Sequence, residues 1–231
     1  GELLPRTPLR FLLADDPGAG KTIMAGLYAK ELMLRGDLTR MLIIAPGGLV
    51  EQWQDELRDK FGLEFTRIGP EGVPMTAPEV WKAFDLVVTS IDAVKPLRRR
   101  SGWDTTRIDA YNETRFAGMS AGDWDLVIID EAHHVAGSSA DVARHQLAAA
   151  VADRTPNVLL LTATPHSGKS EAFRRFLSLV DPDFGAGRPV NAGTIAPVMA
   201  RTAKRGALDN AGRNLFRPRV TTLEEVPWSD G

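Results

Sequence analysis

The stretch that decides the fold is Leu12-Leu13-Ala14-Asp15-Asp16-Pro17-Gly18-Ala19-Gly20-Lys21-Thr22. An apolar run leads into it and a helical pattern follows it, which is the setting of a phosphate-binding loop. Gly18 and Gly20 allow the tight turn that aims backbone N–H groups at phosphate oxygens. Lys21 is placed to reach the β- and γ-phosphates, and the Thr22 hydroxyl to ligate Mg²⁺. Asp15 stands where the strict pattern has Gly, so an incidental glycine-rich turn is the alternative to a nucleotide site.

Short apolar runs bounded by turn residues alternate with helical patterns along the chain. We predict buried strands at Phe11–Ala14, Met41–Ala45, Glu64–Ile68, Leu86–Thr89, Leu126–Ile129 and Val158–Thr162. We predict helices at Thr22–Leu34, Leu49–Phe61, Ala140–Ala152 and Lys169–Leu179. Near-continuous apolar strands that alternate with helices indicate a parallel sheet covered on both faces. The predicted class is therefore α/β, with a mostly parallel central sheet and helices on both faces.

Two segments interrupt the alternation, and both are basic. Residues 95–115 carry six basic and three acidic side chains, and residues 201–219 carry six basic and one acidic. We predict one lobe over residues 1–182, with an inserted basic segment at about 93–123, and an irregular basic linker over 183–231. Such segments serve either as solvated faces or as phosphate contacts that make DNA binding sensitive to salt. For the inserted segment both interpretations stay open.

Composition excludes several classes of protein. The chain has 231 residues, of which 43% are hydrophobic and 25% charged, as in ordinary globular domains. The absence of cysteine excludes a disulfide scaffold, a thiolate metal site and a cysteine nucleophile. A net charge of −2 excludes a uniformly basic coat but not a local basic strip. No uncharged apolar run approaches the ~18 residues of a membrane span, and residues 1–10 lack a signal core, so we expect a cytoplasmic protein with no membrane partner.

The second motif is an acidic pair at the end of a predicted strand. The apolar run Leu126–Ile129 leads directly into Asp130 and Glu131. Acidic residues at the carboxyl end of a buried parallel strand face the crevice where ligands bind. Asp130 is placed to hold Mg²⁺ opposite Thr22, and Glu131 to orient and deprotonate the attacking water, a division of labour that suits phosphoryl transfer. A solvated acidic turn is the alternative.

The third motif is a buried strand that ends in hydroxyl groups. Thr162 and Thr164 close the apolar run that begins at Val158, and Pro165 follows them. Their hydroxyls are placed to bond to the acidic pair and to transmit its state elsewhere. A simple strand cap explains the motif equally well when it is taken alone.

In this order the motifs resemble the first RecA-like lobe of superfamily-two helicases, and within that group the Swi/Snf-type double-stranded DNA translocases. The stretches that carry the resemblance are A-D-D-P-G-A-G-K-T (14–22), I-I-A-P-G-G-L-V-E-Q-W (43–53), V-V-T-S (87–90), D-E-A-H (130–133) and L-T-A-T-P (161–165). Asp15 and Asp16 match the Asp-Glu pair that opens the phosphate loop of this family. Bacterial members are similar, particularly the helicase component (DrmD) of DISARM anti-phage systems, at Asp15–Leu27, Ala45–Leu57 and Thr162–Phe173.

The resemblance implies a P-loop NTPase lobe with ATP and Mg²⁺ as cofactors. It implies that the nucleotide is bound by Asp16, Pro17, Gly18, Ala19, Gly20, Lys21 and Thr22. It implies catalytic roles for Lys21 and Glu131, and Mg²⁺ ligation by Thr22 and Asp130.

The resemblance also implies roles in DNA binding and coupling. The residues implied to couple nucleotide state to DNA contact are His133, Thr162 and Thr164. The residues implied to touch the phosphate backbone are Pro46, Gly47, Gly48, Thr89 and Ser90. Backbone N–H and hydroxyl contacts to phosphate carry no sequence information, which suits a motor that moves over any sequence.

The implied partners are double-stranded DNA, a second RecA-like lobe of the same full-length protein and other subunits of a defence system. The second lobe would supply an arginine finger, worth roughly 10³–10⁵ in rate in related NTPases, so we expect the isolated chain to bind nucleotide weakly and hydrolyse it poorly. Two alternatives stay open: a strand-separating or RNA-directed DExH helicase lobe, and a non-catalytic nucleic-acid-binding scaffold. The pairs Asp15-Asp16 and Gln52-Trp53 disfavour the first, and the complete set of nucleotide-site residues disfavours the second.

Overall fold

The computed structural model describes residues 8–14, 20–135, 142–163 and 171–200. Seven strands form one sheet in the order β3-β4-β2-β5-β6-β1-β7, and each pairing between them is parallel. The strands are β1 Arg10–Ala14, β2 Met41–Ala45, β3 Thr66–Arg67, β4 Leu86–Ser90, β5 Leu126–Ile129, β6 Asn157–Thr162 and β7 Met199–Ala200. The parallel α/β sheet predicted from the sequence is confirmed.

Helices connect the strands on both sides of the sheet. They are α1 Lys21–Arg35, α2 Val50–Phe61, α3 Ile91–Val94, α4 Thr105–Asn112, α5 Gly118–Ser120, α6 Val142–Arg154, α7 Glu171–Ser178 and α8 Ala192–Ile195. Short 3₁₀ turns lie at Gly47–Leu49, Pro78–Lys82, Ala132–Val135 and Pro182–Phe184, and a π-helical turn, Glu113–Ala117, joins α4 to α5.

Neighbouring strand residues are buried on opposite faces of the sheet. Leu13 and Leu161, which are register partners, pack in the cluster that α1 and α2 cover. Leu12 and Leu160, the preceding register pair, pack in the cluster that α3, α5, α6 and α7 cover. Because successive side chains of a strand alternate between faces, a run that is apolar throughout can be buried only between two helical layers.

Close packing of α1 on α2 depends on a glycine. A Cβ atom at Gly26 would lie 2.3 Å from Cε2 of Phe61, so only glycine fits between the two helices without displacing that ring. The apolar residues Val50, Trp53 and Leu57 form the buried face of α2. This contact fixes α2 against the helix that begins at the phosphate loop.

The structure differs from the predicted elements at one sheet edge. The predicted strand Glu64–Ile68 is reduced to Thr66–Arg67, because Ile68 leaves the ladder and bridges to Val73. At the opposite edge Met199–Ala200 pairs with β1, so part of the segment predicted as an irregular linker lies in the sheet. The remainder of that segment, residues 201–231, lies outside the described residues.

The inserted basic segment is largely helical. It comprises α3, α4, the π-helical turn and α5, and it rests on the sheet through Val94 and Met119, which are fully buried. Among the helices that the structure describes, none is long and apolar enough to cross a bilayer.

Candidate nucleotide and DNA-contact site

The described part of the phosphate loop begins at Gly20. Its backbone is left-handed, with φ 87° and ψ 27°, a conformation that glycine adopts without the steric cost other residues pay. Helix α1 begins at the next residue, so Lys21 and Thr22 lie in its first turn. Unpaired N–H groups at the start of a 15-residue helix favour a phosphate there. The predicted nucleotide contacts Asp16, Pro17, Gly18 and Ala19 lie outside the described residues.

Asp130 lies at the carboxyl end of β5 and is largely buried. Its Oδ2 accepts a hydrogen bond of 2.9 Å from the indole Nε1 of Trp53, and its Oδ1 accepts one of 2.8 Å from the backbone N–H of Glu131. Burial raises the pKa of Asp130, while these two hydrogen bonds and the charge of Lys21 act in the opposite direction. The structure therefore brings Asp130 within electrostatic reach of Lys21, as the motifs predict.

The donor set suits Mg²⁺. Asp130 offers carboxylate oxygens and Thr22 a hydroxyl, the hard oxygen ligands that Mg²⁺ prefers. Within the described ranges, no group of three or more His, Cys, Asp or Glu side chains could hold a metal ion.

Thr22 has a carboxylate neighbour that the sequence motifs do not indicate. Glu56, in the middle of α2, interacts with the Thr22 hydroxyl and accepts hydrogen bonds from Gln52 at 2.8 Å and Lys60 at 3.1 Å. Burial tends to raise the pKa of Glu56, but the hydrogen bonds from Gln52, Lys60 and Thr22 lower it on balance.

Glu131 and two of the predicted coupling residues form one polar chain. Glu131 Oε2 lies 3.1 Å from Nδ1 of His133, and the same nitrogen lies 3.2 Å from Oγ1 of Thr162. The Glu131 backbone is left-handed, with φ 44°, a strained conformation for a residue with a side chain. Strain of this kind collects at functional sites, where the surroundings hold a side chain in one direction. Thr164 lies outside the described residues.

Three of the five predicted DNA-contact residues line one open groove at the carboxyl edge of β2 and β4. A cleft of about 410 Å³ is bordered by Gly47, Gly48 and Ser90, together with Arg67 from the end of β3. Ser90 caps α3, because its Oγ accepts a hydrogen bond of 3.3 Å from the N–H of Ala93. We call this cleft the DNA groove.

Two predicted DNA contacts do not present side chains to the DNA groove. Thr89 is fully buried, and its hydroxyl donates a hydrogen bond of 2.7 Å to the carbonyl of Ile68. Its side chain therefore holds β4 to the loop after β3, and a contact with phosphate is not available to it in this conformation. Pro46 directly precedes the 3₁₀ turn, and its carbonyl accepts the N–H of Leu49 at 2.9 Å.

Arg67 is a residue of the DNA groove that the motifs miss. Its guanidinium pairs with Glu71 at 2.9 Å. The Arg67 side chain is 19% exposed and that of Glu71 is 80% exposed, so the cation is held in the groove by a partner that stands in solvent. No local sequence signal separates Arg67 from other surface arginines, because its placement depends on the bend after β3.

Helix α2 touches both halves of the site. Its preceding turn, Gly47–Leu49, borders the DNA groove, whereas Trp53 and Glu56 contact the two predicted Mg²⁺ ligands, Asp130 and Thr22. The Trp53–Asp130 contact joins residues 77 positions apart in sequence, so periodicity alone does not predict it.

These features define a P-loop NTPase lobe: a left-handed glycine before a helix start, a lysine near a buried aspartate, and a glutamate beside them. The chain belongs to the SNF2-related domain family, whose model matches residues 7–195.

Two sets of known proteins are similar to the chain. It is 37% identical over 179 residues to the RNA polymerase-associated protein RapA of Vibrio parahaemolyticus and 35% identical over 178 residues to that of Cronobacter sakazakii, in each case over 75% of this chain. The chain spans 17% of the length of these relatives. Among solved structures, its fold matches the Sulfolobus solfataricus SWI2/SNF2 ATPase core in complex with dsDNA, with a TM-score of 0.63, 19% identity and coverage of 85% of this chain and 40% of that one. It also matches the Pyrococcus furiosus Hef helicase domain, with a TM-score of 0.59, 20% identity and coverage of 85% and 35%.

The matches confirm the predicted family and the RecA-like fold. The finer resemblance to DISARM helicases stays a prediction, because these relatives are named for their association with RNA polymerase.

Proposed function

We propose that this chain is the first ATPase lobe of an ATP-dependent double-stranded DNA translocase. The observation that carries the proposal is the meeting of Lys21, Asp130 and Glu131 at one edge of the sheet, with the DNA groove at the same edge. A site of this kind binds the triphosphate and duplex DNA side by side.

The residues of the chain divide the work of phosphoryl transfer. Lys21 and the start of α1 bind and orient the phosphates, and Thr22 and Asp130 hold Mg²⁺, which neutralises phosphate charge when it is bound. Glu131 takes a proton from the attacking water, and its contact with His133 fixes the direction of the carboxylate. In this family of reactions positioning and charge neutralisation supply most of the rate, so a chain with one lobe depends on a second lobe for the arginine finger.

The DNA groove suits contact with any sequence. Gly47 and Gly48 offer backbone N–H groups, Ser90 a hydroxyl and Arg67 a guanidinium, and all of these donors recognise phosphate oxygens. The similar Sulfolobus solfataricus core is in complex with dsDNA, which supports duplex DNA as the substrate.

Helix α2 gives the two sites a physical connection. Displacement of the Gly47–Leu49 turn by DNA moves the start of α2, and α2 carries the Trp53 indole that bonds to Asp130. We propose that DNA binding shifts the position of Asp130 through this helix. We also propose that the His133–Thr162 contact couples the nucleotide state to the position of β6.

Two other functions compete with a translocase. A non-catalytic scaffold has no use for a buried carboxylate whose charged form is penalised, because an uncharged residue at position 130 would be more stable. A strand-separating or RNA-directed helicase would use the same nucleotide site, and strand displacement on tailed duplexes distinguishes it from translocation without unwinding.

The substitution Glu131→Gln in the full-length protein tests the proposal. It retains the size and polarity of the side chain but removes the base, so we expect ATP binding to persist and DNA-stimulated turnover to fall by about 10²–10⁴-fold. The matched control is Glu79→Gln, at an exposed glutamate in the 3₁₀ turn Pro78–Lys82, which should leave turnover unchanged. Equal turnover in the two variants would favour the scaffold.

A further inference from the structure

The inserted basic segment carries three arginines stacked on aromatic rings. The guanidinium carbons of Arg100 and Arg107 lie 4.4 Å and 4.3 Å from the ring centroid of Trp103. That of Arg115 lies 4.3 Å from the centroid of Tyr111. The two rings meet edge to face, with centroids 5.7 Å apart. We call these five residues the arginine–aromatic cluster.

The cluster differs from other stacked arginines in its lack of carboxylate partners. Arg40 and Arg188 also lie over rings, but Arg40 pairs with Asp85, and Arg188 pairs with Asp181 and Asp183. Within the described ranges, none of the three guanidiniums of the cluster forms a salt bridge. A guanidinium that stacks through its face keeps its N–H donors at the edge of its plane, where they can bind a phosphate oxygen in pairs.

Hydrogen bonds hold the cluster in place. Asp104 caps α4 by accepting a bond of 2.8 Å from the N–H of Arg107. Asn112 bonds to both the N–H and the carbonyl of Leu97, at 2.8 and 2.9 Å, and so ties the preceding loop to the end of α4. Side chains that are already held in place lose less conformational entropy on binding, so the cluster is preorganised to bind a ligand.

The cluster is continuous with the DNA groove through two contacts. Arg115 Nη1 lies 3.4 Å from the sulfur of Met75. A Cβ atom placed at Gly69 would lie 3.0 Å from the methyl group of Met75, so this methyl group lies over the glycine that stands between Arg67 and Pro70 of the groove. On the other side, Tyr111 donates a hydrogen bond of 3.5 Å to the carbonyl of Ala93, in the helix that Ser90 caps.

We propose that the arginine–aromatic cluster binds the phosphate backbone of the same DNA duplex, beyond the segment seated in the DNA groove. The proposal rests on the proposed function, since it extends the DNA contact of that site. Three arginines that stack on rings and have no carboxylate partner among the described residues suit the phosphates of a polyanion, and continuity with the groove selects duplex DNA over an acidic protein. The exposed Arg98 and Arg99 precede the cluster and add to its positive charge.

The test measures duplex DNA binding by the full-length protein as a function of salt concentration. The variant is R100Q/R107Q/R115Q, and the matched control is R35Q/R58Q/R154Q. The three control arginines are exposed, as are Arg100 and Arg107, whereas Arg115 is partly buried. Two of the control arginines end helices that run back to the opposite edge of the sheet. Each phosphate contact contributes roughly −0.9 to the slope of log K against log salt, so the cluster variant should lose up to about three contacts' worth of slope and the control none.

A second variant separates the rings from the charge. W103L/Y111L retains all three arginines, and we expect weaker DNA binding from it, because the guanidiniums lose their support. Thermal melting checks that both variants are folded. If the wild-type protein binds no duplex, the proposed function fails. If the wild type binds duplex while the cluster variant and the control variant have equal affinity and slope, the cluster proposal fails and the proposed function stands.

Discussion

The nucleotide edge and the DNA groove lie at the same edge of one sheet but are built on opposite principles. At the nucleotide edge, the polar side chains are enclosed and bonded to one another. Thr162 is fully buried, and His133 lies within hydrogen-bond distance of both Thr162 and Glu131. The carboxylate of Asp130 accepts a hydrogen bond from the backbone N–H of Glu131. In the DNA groove the hydrogen-bond donors are open to solvent. The cation that lines the groove, Arg67, pairs with Glu71, whose side chain is mostly exposed. Under the proposed function, phosphoryl transfer needs fixed charges in a site that excludes water, whereas DNA contacts that are remade during translocation need donors that release easily.

The sharpest test of this contrast is Lys21→Ala. Removal of the charge that faces the phosphates should lower ATP turnover by roughly 10²–10³-fold, because fixed electrostatic groups contribute about that much when their partners are desolvated. Nucleotide binding by fluorescence and turnover by phosphate release measure the effect. Lys95→Ala, in the inserted segment, is the control, and a similar loss of turnover there would mean that the effect does not come from the position of Lys21 at the nucleotide edge.

The connection between the two regions is tested by Trp53→Phe. The substitution retains the buried ring but removes the N–H that bonds to Asp130. A hydrogen bond to a charged group is worth about 1.5–3 kcal/mol, so we expect DNA-stimulated turnover to fall about tenfold, with a shift in Mg²⁺ dependence. Trp124→Phe is matched to it, because the Trp124 indole makes a buried bond of 2.8 Å to the Met119 carbonyl on the inserted segment. That control should lose stability and leave Mg²⁺ dependence unchanged.

Because the Arg67–Glu71 ion pair lies in an open groove, we predict that substitutions of its two residues change DNA affinity in opposite directions. Arg67→Gln removes a phosphate contact and should weaken duplex binding about two- to fivefold, whereas Glu71→Gln frees Arg67 and should strengthen it by a similar factor, since an exposed ion pair is worth about 0.2–1 kcal/mol. Anisotropy titrations at two salt concentrations measure both. Weaker binding by both variants would show that the pair shapes the groove and that Arg67 does not contact DNA.

The smallest predicted effect is a pH-dependent change in stability at the nucleotide edge. Burial raises the pKa of Asp130, so the folded protein favours the neutral carboxyl. That stability is present at acid pH and is lost as the pH rises through the raised value. Asp130→Asn loses one of the two hydrogen bonds at every pH but cannot ionise, so its stability relative to the wild type should rise as the pH increases from about 3 to 7.

This relative gain from Asp130→Asn should fade below pH ~3.9, the ordinary pKa of aspartate, where the wild-type carboxyl is protonated in both states. Asp123→Asn is the control of opposite sign, since a hydrogen bond from Lys82 lowers the pKa of Asp123. Melting curves across pH distinguish them, and a gain at Asp123 as well would mean that burial is not the cause.

The sequence predicts what is local and apolar. Five of the seven strands lie within one residue of their predicted bounds, because each is an almost uninterrupted buried run. The edge strands are different: β3 is cut short by the bend that places Arg67, and β7 has two half-buried residues and no periodic pattern.

Sequence patterns do not predict contacts between residues that are far apart in the chain. Trp53 is predicted as part of a motif, yet its bond to Asp130 depends on how α2 crosses β5. The stacking of arginines on Trp103 and Tyr111 depends on the fold of the inserted segment, whose sequence shows only an excess of basic residues.

Strand β7 connects mechanical force on the following chain to strand β1, because the two strands are paired. Met199 and Ala200 pair with Leu12 and Leu13, two residues of the strand that feeds the phosphate loop. The contact is reinforced by a bond of 2.8 Å from the Leu12 N–H to the carbonyl of Val198. A pull on the chain beyond Ala200 therefore loads β1 in shear, directly beneath the nucleotide site. Because this ladder is only two residues long, it would separate before the five-residue pairing between β1 and β6.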